Sequence, residues 1–134
     1  MKYLLDTNIV AYIINKKPES VLDKFQTINL NDIVLSSIVV AELWYGVAKS
    51  QKRLQNKVAL EAFLEPLLIL DFDSNAAEFY ANIRANLERS GSIIGGNDLL
   101  IAAHAVSLDL VLITNNVKEF ERVEGLKIEN WITK

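Results

Sequence analysis

Residues 2–15, KYLLDTNIVAYIIN, are apolar on both sides of a single acidic residue. KYLL is a short apolar run of the kind that forms a buried strand, and Thr7–Asn15 is long enough for a helix. Asp6 stands at the junction, with Thr7 and Asn8 beside it. An unpaired carboxylate in an apolar setting is strongly disfavoured, so Asp6 needs a partner or a task.

The same alternation continues along the chain. PESVLDKFQTI opens with Pro18 at a position suited to the first residue of a helix. Asp32–Ser36 is the second strand expected, followed by helices over 37–50 and 51–67. Pro66–Phe72 is the third strand. Ser74 can cap a long helix that stops at Gly91. GGNDLLIAAHAVSLD (95–109) has a helical pattern, which Asn97 can cap if Asp98 serves only the first turn. Asp109–Thr114 is a fourth strand, 115–123 a short helix, and LKIENW (126–131) an edge strand. Strands separated by helices imply a parallel sheet with right-handed crossovers. The continuous apolar strands agree, since a parallel sheet is covered on both faces. Ligands bind such sheets beyond the carboxyl ends of the strands, which is where Asp6 falls.

With 134 residues and 51% hydrophobic content, the chain is expected to form one domain over 1–134. Its 14 Lys and Arg against 17 Asp and Glu give a net charge of −3, which excludes nucleic-acid binding through bulk positive charge. The absence of cysteine excludes disulfides, thiolate zinc sites and cysteine nucleophiles. Asp6 breaks the N-terminal apolar run too early for a signal peptide. No uncharged run approaches the ~20 residues of a membrane span. A soluble cytoplasmic protein without membrane contact is the expectation.

Asp6 has two counterparts. Glu42 lies in SIVVAELWYGV, where apolar residues surround the helix and point to burial. Asp98 lies between two apolar runs in SIIGGNDLLIAAHAV. Capping explains Asp6 or Asp98 singly, and a buried salt bridge explains Glu42. A shared site in which a cation neutralises all three explains them together. Oxygen donors without thiolates suit Mg²⁺ or Mn²⁺. The single histidine, His104, lies six residues after Asp98 and points away from it around the helix, so it reads as structural. A carboxylate-bound divalent ion implies phosphate chemistry without a protein nucleophile.

LLDTNI, SSIVVAELWYGV, IRANLERSG, GGNDLLIAAHA and LITNNVKEFERVEGL, in this order and spacing, resemble the PIN-domain family, and within it the VapC-type toxins of type II toxin–antitoxin pairs. The resemblance covers nearly the whole chain. It implies a three-layer α/β/α sandwich around a parallel sheet of about five strands. It also implies a homodimer, or a hetero-oligomer with a VapB-like antitoxin whose tail covers the acidic pocket. The implied activity is a Mg²⁺- or Mn²⁺-dependent endoribonuclease, with tRNA first among the substrates considered. The family's acidic residues map onto Asp6, Glu42 and Asp98, the three that apolar context selects. Many relatives carry a fourth acid where this chain has Asn116, an uncharged candidate ligand. Glu119 can substitute as ligand, or can close a capping box with Asn116. Asn8, Thr114 and Asn115 are candidate polar lining, with Asn8 placed to orient Asp6 or a metal-bound water.

Lys49, Lys52, Arg53 and Lys57 form the clearest basic cluster for RNA, with Arg84 and Arg89 as a second. Trp44 and Tyr45 can stack on bases, but in so apolar a helix they read as core or dimer interface. Two other readings stand beside the nuclease. One is a catalytically weak PIN-like module that binds RNA or protein. The other is a small-molecule phosphatase, against which Asn8 counts, since it replaces the second aspartate of a DxD pair.

Overall fold

The computed structural model describes residues 2–133. Strand β1 (Tyr3–Leu5) runs through Asp6 into α1 (Thr7–Asn15), and α2 (Glu19–Thr27) follows. A 3₁₀ turn over Leu30–Asp32 leads into β2 (Ile33–Ser36), then α3 (Ser37–Lys49), α4 (Arg53–Leu64) and β3 (Leu68–Leu70). The long α5 (Ser74–Ser90), α6 (Gly96–Ser107), β4 (Val111–Ile113), a single helical turn α7 (Val117–Phe120) and β5 (Lys127–Glu129) complete the order.

All five strands are parallel, in the order β3-β2-β1-β4-β5, with helices flanking the sheet. β1 pairs with β2 through Tyr3↔Ile33 and Leu4↔Val34, and with β4 through Leu4↔Leu112 and Leu5↔Ile113. The chain therefore winds outward from β1 to one side, then returns to build the other. The gap between β1 and β4 is the topological switch point, where open α/β sheets place their sites. β2 and β4 are wholly buried, as their continuous apolar runs require. The edge strand β3 leaves Leu68 and Ile69 exposed. LKIENW does form the edge strand on the opposite side.

The helix starts depart from expectation in three places. Pro18 stands before α2, with an extended ψ of 152°, and Glu19 is the first helical residue. Asp73, not Ser74, caps α5: its carboxylate accepts from the Ala76 amide at 2.9 Å, and aspartate is as good a cap as serine. Gly95 precedes α6, which puts Asn97 inside the first turn and frees its side chain for the site. The stop at Gly91 is as expected. Gly91 has φ 67°, and the Gly91 and Ser92 amides close back onto the carbonyls of Glu88 and Leu87.

Candidate active site

Asp6 ends β1 and caps α1. The β1–β4 ladder extends to it, the Asp6 amide donating to the Ile113 carbonyl at 2.9 Å. Its side chain is only 5% exposed. Oδ1 accepts from the Thr7 amide at 2.7 Å, and Oδ2 from the Thr114 hydroxyl at 2.8 Å. Thr114 leaves β4 on the other side of the switch point and is fully buried. Burial raises the Asp6 carboxyl above its ordinary value, the Thr114 and Thr7 bonds oppose that, and the charges of Glu42 and Glu119 add to the rise.

Glu42 comes from the middle of α3. Its Oε1 accepts from the Thr7 hydroxyl at 2.6 Å and its Oε2 from Asn97 Nδ2 at 3.2 Å. Glu42 is half-buried, less enclosed than its apolar neighbours imply, because only Val39 of α3 is buried. Ile38, Val40 and Leu43 pack partly buried against the core, whereas Tyr45 faces the surface of this chain. Tyr45 is 65% exposed, so it is not core.

Asp98 lies in the first turn of α6. Burial first, then a hydrogen bond with Glu119 and the charges of Glu119, Asp6 and Glu42, push it up to about 7. Glu119 is the acid whose role the sequence left open. It makes no capping box, because its oxygens are engaged elsewhere. Oε1 accepts from the Gly95 amide at 2.7 Å, and Oε2 accepts from Asn116 Nδ2. The Thr114 hydroxyl takes the Asn116 amide at 3.0 Å instead. Burial alone would raise Glu119, but its bonds from Asp98, Gly95 and Asn116 outweigh this, and it lies below its ordinary value. Asp98 is therefore the protonated partner of the pair near neutrality.

Four carboxylates thus sense one another across β1, α3, α6 and α7. Among the described residues none of them forms an ion pair with Lys or Arg, so the buried salt bridge considered for Glu42 is absent. Nor do any three acidic or histidine side chains among these residues converge closely enough to hold a metal as they stand. The donor set itself is all oxygen and mutually repulsive, with no paired cation among the described residues, which is the chemistry that suits a hard divalent cation.

The remaining candidates divide. Asn115 Nδ2 donates to the Tyr12 hydroxyl at 3.3 Å and makes no bond to the acids. Asn8 is exposed and has no hydrogen bond to Asp6, whose orientation comes from Thr7 and Thr114. Lys49 lines a cavity that also includes Glu42, whereas Lys52 and Arg53 lie beyond the end of α3, exposed, at the start of α4. Arg84 bonds Tyr80 and pairs with Glu88 at 3.7 Å, and Arg89 bonds Asn86. His104 is structural as expected. It is buried against Phe72, its Nδ1 lies 2.8 Å from Ser36 Oγ, and burial lowers its pKa. Thr7, Gly95 and Asn97 are site residues that sequence reasoning missed. All three adjoin a predicted acid or lie within three residues of one, but only the fold shows where their donors point.

A sequence model of the PIN domain matches residues 3–126. The chain is 49% identical over 132 residues to Ribonuclease VapC2 of Rickettsia felis, covering 98% of each. It is 43% identical over 131 residues to the tRNA(fMet)-specific endonuclease VapC of Shigella flexneri, again covering 98% of each. The crystal structure of VapBC2 from Rickettsia felis bound to a promoter DNA fragment contains a chain that superposes with a TM-score of 0.92 at 48% identity, covering 98% of this chain and 100% of that one. The chain belongs to the PIN domain family, among its VapC-type members. Among the described residues, no helix is long and apolar enough to cross a membrane.

Proposed function

We propose that the protein is a Mg²⁺- or Mn²⁺-dependent endoribonuclease of a toxin–antitoxin pair, with tRNA as a substrate. The observation that carries the reading is the meeting of Asp6, Glu42, Asp98 and Glu119 at the switch point without a cationic side chain paired to any of them. Asp6, Glu42 and Asp98 would hold the metal, with Glu119 as the further acid and Asn116 acting through it.

When bound there, a divalent cation supplies positive charge to the scissile phosphate and lowers the pKa of attacking water. The chain supplies the rest. Thr7 ties Asp6 to Glu42 by donating from its amide to one and from its hydroxyl to the other. Thr114 fixes the second Asp6 oxygen, and Asn97 the second Glu42 oxygen. These bonds hold the carboxylates in place before substrate arrives, as a phosphoryl site requires. The Asp98–Glu119 pair keeps a proton at the Asp98 carboxyl up to about pH 7, so cation binding and proton release are linked there.

A weak binding module would be favoured by Asn116 standing where many relatives carry a fourth acid. Glu119 returns a carboxylate to the pocket, which favours the enzyme. The antitoxin proposal is supported by the VapBC assembly of the Rickettsia felis relative. Leu54 and Val58 on α4, 77% and 60% exposed, offer apolar surface for a partner chain, antitoxin or second copy.

Purified protein should cut tRNA with Mg²⁺ or Mn²⁺ and stop with chelator. Asp98→Asn should abolish cleavage with the fold intact, and cleavage by that variant at the wild-type rate would refute the assignment. Mn²⁺ titration by calorimetry separates nuclease from binding module, since no binding to folded protein leaves only the latter. Expression alone should slow growth, and co-expression with the neighbouring gene should restore it.

A further inference from the structure

Beside the acids lies a cavity of about 500 Å³, within the range of ligand sites. It shares Thr7, Glu42 and Asn97 with the acidic site, and adds Tyr45 and Lys49. Glu42, Tyr45 and Lys49 are spaced i, i+3, i+7 along α3, so they lie on one helix face. That face leads from the carboxylates for roughly 10 Å, seven residues at helical rise.

Tyr45 and Lys49 pair with each other, not with the core or the acids, and leave one face of the ring open. Tyr45 is 65% exposed. Lys49 Nζ stands 4.9 Å from the centroid of its ring, and among the described residues no carboxylate pairs with it. Lys49 is also the one cation among the described residues lining this cavity. A ring with a π-face beside an ammonium is the pairing that holds a single-stranded nucleotide, the ring stacking the base and the cation taking the phosphate. Metal-linked carboxylates alone would leave the flanking phosphate facing negative charge.

We infer that Tyr45 and Lys49 form a nucleotide subsite, in which Tyr45 stacks an unpaired base flanking the scissile phosphate and Lys49 holds the adjoining phosphate. The subsite rests on the ribonuclease reading and specifies its substrate: the cleaved strand is single-stranded next to the cut. Stacking is tolerant of base identity, so the pair selects unpaired RNA rather than sequence.

The test has two arms. In the first, kcat/KM on tRNA is measured for wild type, Tyr45→Ala, Tyr45→Trp and Lys49→Gln. Tyr45→Ala should lose roughly tenfold or more, as aromatic–base stacking implies, and Tyr45→Trp should keep most activity. Lys49→Gln should lower the slope of log affinity against log salt by about one. In the second, Asp98→Asn protein is titrated with an oligoribonucleotide carrying 2-aminopurine. Fluorescence quenching on binding should require an aromatic residue at position 45. Equal kcat/KM for Tyr45→Ala and wild type, or equal quenching with and without the ring, would overturn the subsite. So would a lower mass by light scattering for Tyr45→Ala with quenching unchanged, since Tyr45 would then serve a protein interface. If wild type cuts no RNA, the ribonuclease reading fails by itself, and the quenching arm still decides whether Tyr45 stacks a base.

Discussion

Replacing Thr114 by valine removes a hydroxyl from the centre of the site while nearly preserving shape. The residue is fully buried, and its Oγ1 makes two bonds, donating to Asp6 Oδ2 at 2.8 Å and accepting from the Asn116 amide at 3.0 Å. A hydrogen bond to a buried charge contributes about 1.5–3 kcal/mol, and a neutral one about 0.5–1.5 kcal/mol. With Asp6 ionised, Thr114→Val should therefore cost about 2–4.5 kcal/mol. With Asp6 protonated, only neutral bonds are lost, and the cost should fall to about 1–3 kcal/mol. The pH dependence has a definite sign. The folded-state pKa of Asp6 lies above its ordinary 3.8, so wild-type stability is fullest below 3.8 and declines as pH rises through the folded value. Losing the Thr114 bond, which lowers that pKa, raises it further and deepens the decline. Urea unfolding of both proteins in chelator, from about pH 4 to about pH 8, should show the difference growing with pH. A difference that is flat, or largest in acid, would refute the account of Asp6 as a carboxylate held charged by Thr114.

Two further outcomes follow from the same structure. Asp98 is held near 7 by burial and carboxylate neighbours, so the metal-free protein loses stability as pH rises through about 7. Asp98→Asn, neutral at every pH, should match wild type only below about pH 3.8, gain on it steadily as pH rises from there, and hold its full margin above about pH 7; matching melting profiles would exclude the repulsion. Asp73→Ala should cost about 1 kcal/mol by chemical denaturation and Ser74→Ala only a few tenths, because Asp73 carries the cap of α5.

The switch point was legible in the sequence because buried parallel strands write themselves as unbroken apolar runs. KYLL, DIVLS and DLVLIT each contain such a strand, and each is followed by the acid or hydroxyl that leaves the sheet. Asp6 and Asp98 stood out for the same reason, as charges in apolar company. Glu119 did not, because VKEF has ordinary polar neighbours and fits a capping box by spacing alone. Its place beside Asp98 depends on contact between α7 and the turn before α6, more than twenty residues apart. Tyr45 misled in the opposite direction. An apolar helix reads as core, yet the sequence does not say whether its apolar face is covered by its own chain. Thr7 was the nearest miss: its donors reach two acids, one of them 35 residues away.

The position of β1 in the sheet has a consequence for the timing of activity during translation. Tyr3–Leu5 leaves the ribosome long before one of its two neighbours in the sheet, Val111–Ile113, more than a hundred residues later. Until that segment emerges, Asp6 has no hydroxyl on its second oxygen and Glu119 is missing from the pocket. A nascent chain shorter than this carries three of the acids and no assembled site. A ribosome making this chain therefore faces separate acids, and no assembled pocket, until β4 and α7 have both emerged.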